Sequence, residues 1–278
     1  MKPLCILVFA AMLPQTLNAQ LTRKDNFLSE LRKDSTVADT LTADQREFDY
    51  AYELWDEQPL MALTAFKGFI EQYPDSPLLP RAKFNLGSLQ FRFGQDSAAY
   101  ATLTEVLEGD YNERDENSLM EPYALYKHRA CRILAELSLR RHEFGEAARY
   151  VHMFDEVYPY QHFCGNEWQA YHYYRDWMKA RIKEGTGEFT EAIQILVPDI
   201  VYTGLAGNGY IIEYLDKILN EHYSTDQIRA EVRRGLDTAS FKKRKGQTTT
   251  IVTMFGARVT FGVYDDVKSN QFIAKYKP

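Results

Sequence analysis

The sequence predicts a mainly α-helical protein. About four helix–turn–helix units follow one another, then a capping helix pair, then a short β-hairpin. Three observations carry this expectation. Apolar residues recur three and four apart over most of residues 44–236, the spacing that lines one face of a helix. Small residues mark the places where paired helices meet: Ala62, Ala99, Ala147 and Ala192, separated by 37, 48 and 45 residues. From Thr248 onward the chain turns to β-branched and aromatic residues around Gly256, which marks a hairpin.

Residues 1–19 read as a signal peptide. Lys2 precedes an apolar run from Leu4 to Leu13, and small Ala19 closes it, as signal peptidase requires. The run is too short for a stable membrane span. Cys5 lies too early for lipidation and Gln20 follows the cleavage point, so no lipid anchor is expected, and the exported chain is expected to carry no transmembrane span. Residues 20–43 are polar and read as a flexible tether. Residues 44–204 hold the repeats. Phe48, Ala51, Tyr52 and Trp55 share one helical face, and Pro59 suits a first turn. Ala62, Ala65, Phe66, Phe69 and Ile70 share the next face, which Pro74 and Pro77 end.

The best-formed unit spans residues 80–107, with Phe84, Asn85-Leu86-Gly87, the turn glycine Gly94, Ala99, Leu103 and Val106. The same frame recurs at Leu134-Ala135, Phe144, Ala147 and Val151, and again at Ala180, Gly187, Phe189, Ala192 and Leu196. Gly94 and Gly187 occupy the same turn slot. The acidic stretch Glu108–Glu121 and the stretch Tyr160–Asn166 absorb the extra length. Residues 205–240 form two capping helices, Ile211–His222 and Thr225–Leu236, with Ser224 or Thr225 as cap. Residues 241–278 hold the basic run Lys242-Lys243-Arg244-Lys245 and a hairpin of Thr248–Phe255 with Arg258–Tyr264. An isolated hairpin is marginal in water, so this one packs on the last helices or on a partner. Its edge can accept another strand.

The spacing of Asn85-Leu86-Gly87, Gly94 and Ala99 resembles the tetratricopeptide (TPR) family. That resemblance implies a right-handed helical solenoid that holds other proteins in a concave groove; its ideal repeat is about 34 residues. The run from Phe66 to Gly87, with Tyr73-Pro74-Asp75-Ser76-Pro77 in it, is similar to periplasmic TPR proteins of outer-membrane assembly and envelope constriction. This implies a periplasmic or secreted protein of cell-envelope assembly or maintenance. Those relatives include lipoproteins, from which this chain departs.

In the TPR frame the inner wall takes positions two, five, nine, twelve and thirteen of each first helix. These are Arg81, Phe84, Ser88, Phe91 and Arg92; then Arg129, Arg132, Glu136, Leu139 and Arg140; then Tyr174, Trp177 and Arg181. Arginine binds carboxylates through two parallel hydrogen bonds, and aromatics anchor apolar groups. The groove would therefore hold a protein or peptide partner with acidic groups. The alternative is that these arginines pair with Glu136, Glu184 or the connection at Glu113, Asp115 and Glu116.

Trp168, Tyr171, Tyr173, Tyr174 and Trp177 either fill gaps between repeats or form a platform for a glycan, including peptidoglycan. Arg229, Arg233, Arg234 and the basic run Lys242–Lys245 are either solvated, or meet anionic lipid in a peripheral contact with the envelope, or face an acidic partner.

No chemistry stands out. The formal net charge of −6 disfavours nucleic-acid binding. His142, His152, His162 and His172 fall ten apart, which does not hold one helical face, and the chain lacks the paired spacings of metal sites. There is no nucleophile elbow and no phosphate loop. Val263-Tyr264-Asp265-Asp266 resembles the start of a retropepsin-like domain but lacks its Asp-Thr/Ser-Gly turn. Neither enzyme activity nor a cofactor or metal is expected. Cys131 and Cys164 either form a disulfide or are small buried hydrophobes.

Overall fold

A computed structural model describes residues 41–110, 122–160, 165–201, 206–244, 247–262 and 267–277. Residues 1–40, which hold the expected signal peptide and most of the expected tether, residues 111–121 of the acidic connection, His162, Cys164, Lys245 and residues 263–266 fall outside them. The chain divides between Arg46 and Glu47; residues 47–278 belong to one compact unit, and before the division only 41–46 are described, at the start of a helix.

Helices dominate, as the spacing of apolar residues predicts. In order they are α1 (Ala43–Glu57), α2 (Pro59–Gln72), α3 (Leu79–Arg92), α4 (Asp96–Glu108), α5 (Pro122–Arg140) and α6 (Phe144–His152). These are followed by α7 (Gly165–Gly185), α8 (Phe189–Leu196), α9 (Gly209–His222), α10 (Thr225–Asp237) and the short α11 (Gln271–Tyr276). A π-turn, Met153–Val157, extends α6, and a 3₁₀ turn, Val197–Ile200, extends α8. Pro59 and Pro80 sit in first turns, where a missing N–H costs nothing. No described helix is long and apolar enough to cross a membrane.

Three of the helix pairs, α3/α4, α5/α6 and α7/α8, are joined by the same turn. Gln95 N donates to Gln90 O, Glu143 N to Ser138 O and Glu188 N to Lys183 O, at 2.8, 2.9 and 2.8 Å. One residue earlier, Gly94 N bonds Phe91 O, His142 N bonds Leu139 O and Gly187 N bonds Glu184 O. This is the Schellman C-cap, which places one residue in the left-handed region. That residue is Gly94 (φ 69°), His142 (φ 58°) and Gly187 (φ 84°). Two glycines were expected in this slot; the histidine fills it in the middle pair.

The pairs touch through small residues. A Cβ on Gly87 would stand 2.7 Å from Leu103, and one on Gly185 2.0 Å from the Phe144 ring. Ala99, Ala147 and Ala192 are fully buried on the second helices.

The C-terminal end corrects the expected hairpin. Three antiparallel strands, β1 (Ser240–Arg244), β2 (Gln247–Met254) and β3 (Ala257–Phe261), lie in that order. Most of the basic run, Lys242 to Arg244, is thus a strand, paired with Thr249, Thr248 and Gln247. Lysine and arginine have weak strand preference, but an exposed edge tolerates them. The β2–β3 turn matches expectation: Phe255 (φ 51°) and Gly256 (φ 80°) lie between paired Met254 and Ala257, a two-residue turn of the type that follows strand twist. Val252, Met254, Ala257, Val259 and Phe261 are buried. Gly235 of α10 lets the sheet approach, since a Cβ there would stand 2.8 Å from Thr253 O.

Helix α11, absent from the sequence expectation, closes this core with Phe272, Ile273 and Tyr276. Asn270 caps it, accepting from Ile273 N (3.2 Å), and donates to Ile200 O (2.9 Å). Asp216 of α9 receives Lys275 (2.6 Å) and the Tyr276 hydroxyl.

Candidate functional site

Aromatic rings and arginines alternate along the first helices of successive pairs. The Arg140 guanidinium of α5 lies over Phe91 of α3, 4.3 Å from the ring centroid, and Arg132 of α5 lies over Tyr174 of α7, 3.9 Å away. On α7, Arg181 lies over Trp177 at 4.4 Å, and Trp177 packs edge-on against Tyr210 and Tyr214 of α9, at 5.7 and 6.2 Å. Tyr174 and Trp177 are themselves 6.0 Å apart. One belt thus runs from α3 to α9. Cation–π stacking holds each guanidinium by its face and leaves its N–H edge for a second partner.

The arginines differ in what that edge meets. Arg181 donates to Glu136 at 2.6 Å, where the Glu136 side chain is almost fully buried. Burial works against the Arg181 cation, but Glu136 outweighs it and raises the pKa. Arg140 pairs with Asp96 at 3.1 Å in a solvent-exposed bridge. Arg132 has no carboxylate partner among the described residues. Its neighbour Arg129 keeps a buried Nε without a hydrogen bond, as does Glu136 with its Oε1. Burial holds the Tyr174, Tyr210 and Tyr214 hydroxyls above the usual phenol range; Tyr214 also donates to Glu184.

Of the ten groove residues expected from sequence, Phe91, Arg132, Arg140, Tyr174, Trp177 and Arg181 come together in this belt. Phe84 packs on Tyr126 at 5.7 Å, and Arg81 lies over Phe48 of α1 at 5.5 Å. Arg92 is exposed at the end of α3. Arg181 thus pairs with Glu136, a partner the alternative named, whereas Arg140 pairs with Asp96, which it did not name. Glu184 pairs with Lys217 (3.0 Å), which lies over Tyr214 at 5.3 Å.

Tyr210, Tyr214 and Lys217 were missed because α9 reads as a cap outside the repeats. The signal was their spacing: 210, 214 and 217 fall four and three apart on one face.

The aromatic group Trp168 to Trp177 is not one platform. Nine residues along a helix is two and a half turns, so Trp168 and Trp177 face opposite ways. Trp168 is 41% exposed, with His172 edge-on at 4.3 Å, whereas Tyr171, Tyr173 and Tyr174 are buried.

Within α5, His128 is fully buried. Its Nδ1 lies 3.1 Å from Phe154 O and 2.9 Å from Tyr158 O. Two acceptors require that Nδ1 carry the proton, so the ring donates to the carbonyls of Phe154 in the π-turn and of Tyr158 just after it. Burial, helped by the Arg132 and Arg129 cations, pushes its pKa down to about 3.

Near α8, Arg175 bridges Asp155 (3.6 Å) and Asp176 (2.8 Å). The Asp199 residue is only partly buried, yet its Oδ2 is solvent-inaccessible and unpartnered. Burial, together with the nearby Asp176 charge, raises its pKa to about 8.

Cys131 is a buried, free thiol, raised by burial to about 12. No group of three or more His, Cys, Asp or Glu that could hold a metal gathers among the described residues.

Fold and site together define the class: a mainly α-helical protein with a small antiparallel sheet and a stacked arginine–aromatic belt. Protein-family models, curated proteins and solved structures provide no match to this chain.

Proposed function

We propose that this chain is an exported, TPR-like adaptor, a right-handed helical solenoid that holds a protein or peptide partner on the belt of its first helices, in cell-envelope assembly or maintenance. The observation that carries the reading is Arg132. Its guanidinium is stacked on Tyr174 and oriented, yet no described carboxylate occupies its N–H edge. Such a fork suits a carboxylate of the partner, and its geometry is one that lysine cannot reproduce. Arg129 beside it adds charge, and Trp177, Tyr210 and Tyr214 supply rigid apolar anchors of the kind that dominate interfaces. The three identical Schellman turns support the repeat reading. The periplasmic placement rests on the sequence of residues 1–19.

The test is capture of a partner from crosslinked envelopes, followed by binding to the purified pair. Arg129→Ala with Arg132→Ala should weaken binding at least tenfold, and Arg132→Lys should not restore it. Full binding by the double variant sinks the groove reading. A second reading, glycan binding, is favoured only by exposed Trp168. It predicts loss of glycan binding in Trp168→Ala and none in Trp177→Ala.

A further inference from the structure

We propose that the outer edge of β1 is a docking edge for an extended, acidic segment of a partner protein, which adds to the sheet as a fourth strand. The edge is open: β1 pairs with β2 on one side, and no described strand pairs with the other. Ser240 to Lys243 are exposed, and an unpaired, exposed edge is a template for another strand. This site is separate from the arginine–aromatic belt and shares no residue with it.

The side chains say what kind of strand fits. Phe241 is 72% exposed. It pairs across with Thr250, so it projects from the same sheet face as buried Val252 and Met254. The sheet therefore overhangs the helical body, and Phe241 offers an apolar step on the core-side face at the overhang. Lys242 and Lys243 are exposed, and no described carboxylate pairs with either. They stand on opposite faces of the strand, so both faces of the edge are cationic within a chain of net charge −6.

Lysine on an edge strand commonly blocks edge-to-edge pairing. Here it does so selectively. A second copy of β1 would set lysine near lysine, which is unfavourable for cross-strand neighbours. An acidic strand would instead gain an ion pair on each face and cover Phe241. An edge that only repelled all strands would have no use for its most exposed large apolar side chain.

The probe is a fluorescent eight-residue peptide alternating glutamate with valine. It is compared with a peptide alternating lysine with valine, and with the glutamate peptide N-methylated at alternate backbone amides. The glutamate peptide should bind by anisotropy and slow amide exchange in residues 240–244. The other two peptides should bind at least tenfold more weakly. Lys242→Glu with Lys243→Glu should lose at least tenfold, and Phe241→Ser severalfold, with circular dichroism and melting unchanged. Each change is at an exposed side chain, so folding is preserved.

Equal binding of the N-methylated peptide would reduce the effect to ionic adhesion and overturn the proposal. So would indifference to the lysine reversal. A free chain that is already dimeric, with residues 240–244 protected from exchange, would assign the edge to a second copy and overturn it as well. Loss of groove binding in the Arg129/Arg132 variants leaves this test untouched.

Discussion

At the scale of single residues, buried His128 and partly buried Asp199 work in opposite directions. His128 has its pKa lowered from 6.5 to about 3. The unfolded chain binds its proton first, so folding loses stability as pH falls below about 6.5, by up to about 1.4 kcal/mol per pH unit. Asp199 is raised from 3.8 to about 8. The folded chain binds that proton more tightly, so stability falls as pH rises from about 4 to about 8. The slopes oppose each other between about pH 4 and 6.5, and only the Asp199 slope remains above that. Urea unfolding from pH 4 to 8 should show a flat acid side and a declining alkaline side. Asp199→Asn should remove the decline. His128→Gln should leave stability rising steadily as pH falls. Identical profiles for all three proteins would refute both assignments. Cys131 gives a simpler check. Buried and held protonated, its thiol should stay unalkylated by iodoacetamide in the native protein and react once urea unfolds it, as read by peptide mass spectrometry.

At the scale of elements, the repeated turn makes a prediction of sign. His142 adopts the left-handed conformation that Gly94 and Gly187 adopt in the same slot, and a side chain there costs about 1–2 kcal/mol. His142→Gly should therefore gain stability of about 1 kcal/mol, less the extra chain entropy of glycine. Gly94→Ala and Gly187→Ala should each lose about 1 kcal/mol, since a Cβ at either meets no neighbour and only the backbone pays. Chemical denaturation midpoints separate these outcomes; a destabilised His142→Gly would mean that its ring, edge-on to Phe144 at 5.9 Å, matters more than its φ. The same turn shows what sequence could tell. Helix spans and glycine turns are local and were legible from Phe48, Ala99 or Gly187. His142 carries no sign of its conformation. The β1 strand was hidden because Lys242 and Lys243 read as a solvated charge run, and their strand character comes only from the threonines opposite. In the belt, the residue types were legible but not their partners. The Glu136–Arg181 pair spans 45 residues, and only folding decides that Arg181 is paired while Arg132 meets no carboxylate among the described residues.

At the scale of the whole molecule, stability is held in separate cores. One cluster joins α1, α2 and α3 through Phe48, Phe66, Phe69 and Leu89. Another joins α7 and α8 to α9, α10, the sheet and α11 through Leu196, Leu215, Val252, Phe261 and Phe272. The two share no residue. On the proposed repeat reading, each unit is stabilised mainly by its neighbours, so damage at one end need not reach the other. Phe272 is the probe, because it is fully buried at the closing helix. Phe272→Ala removes a ring from a packed site and should cost about 3–5 kcal/mol. Hydrogen exchange should then show lost protection in α9, α10, α11 and the strands, with α1 to α3 protected as before. Equal loss along the whole chain would show one cooperative unit, in which the belt and the sheet edge are not independently stable surfaces.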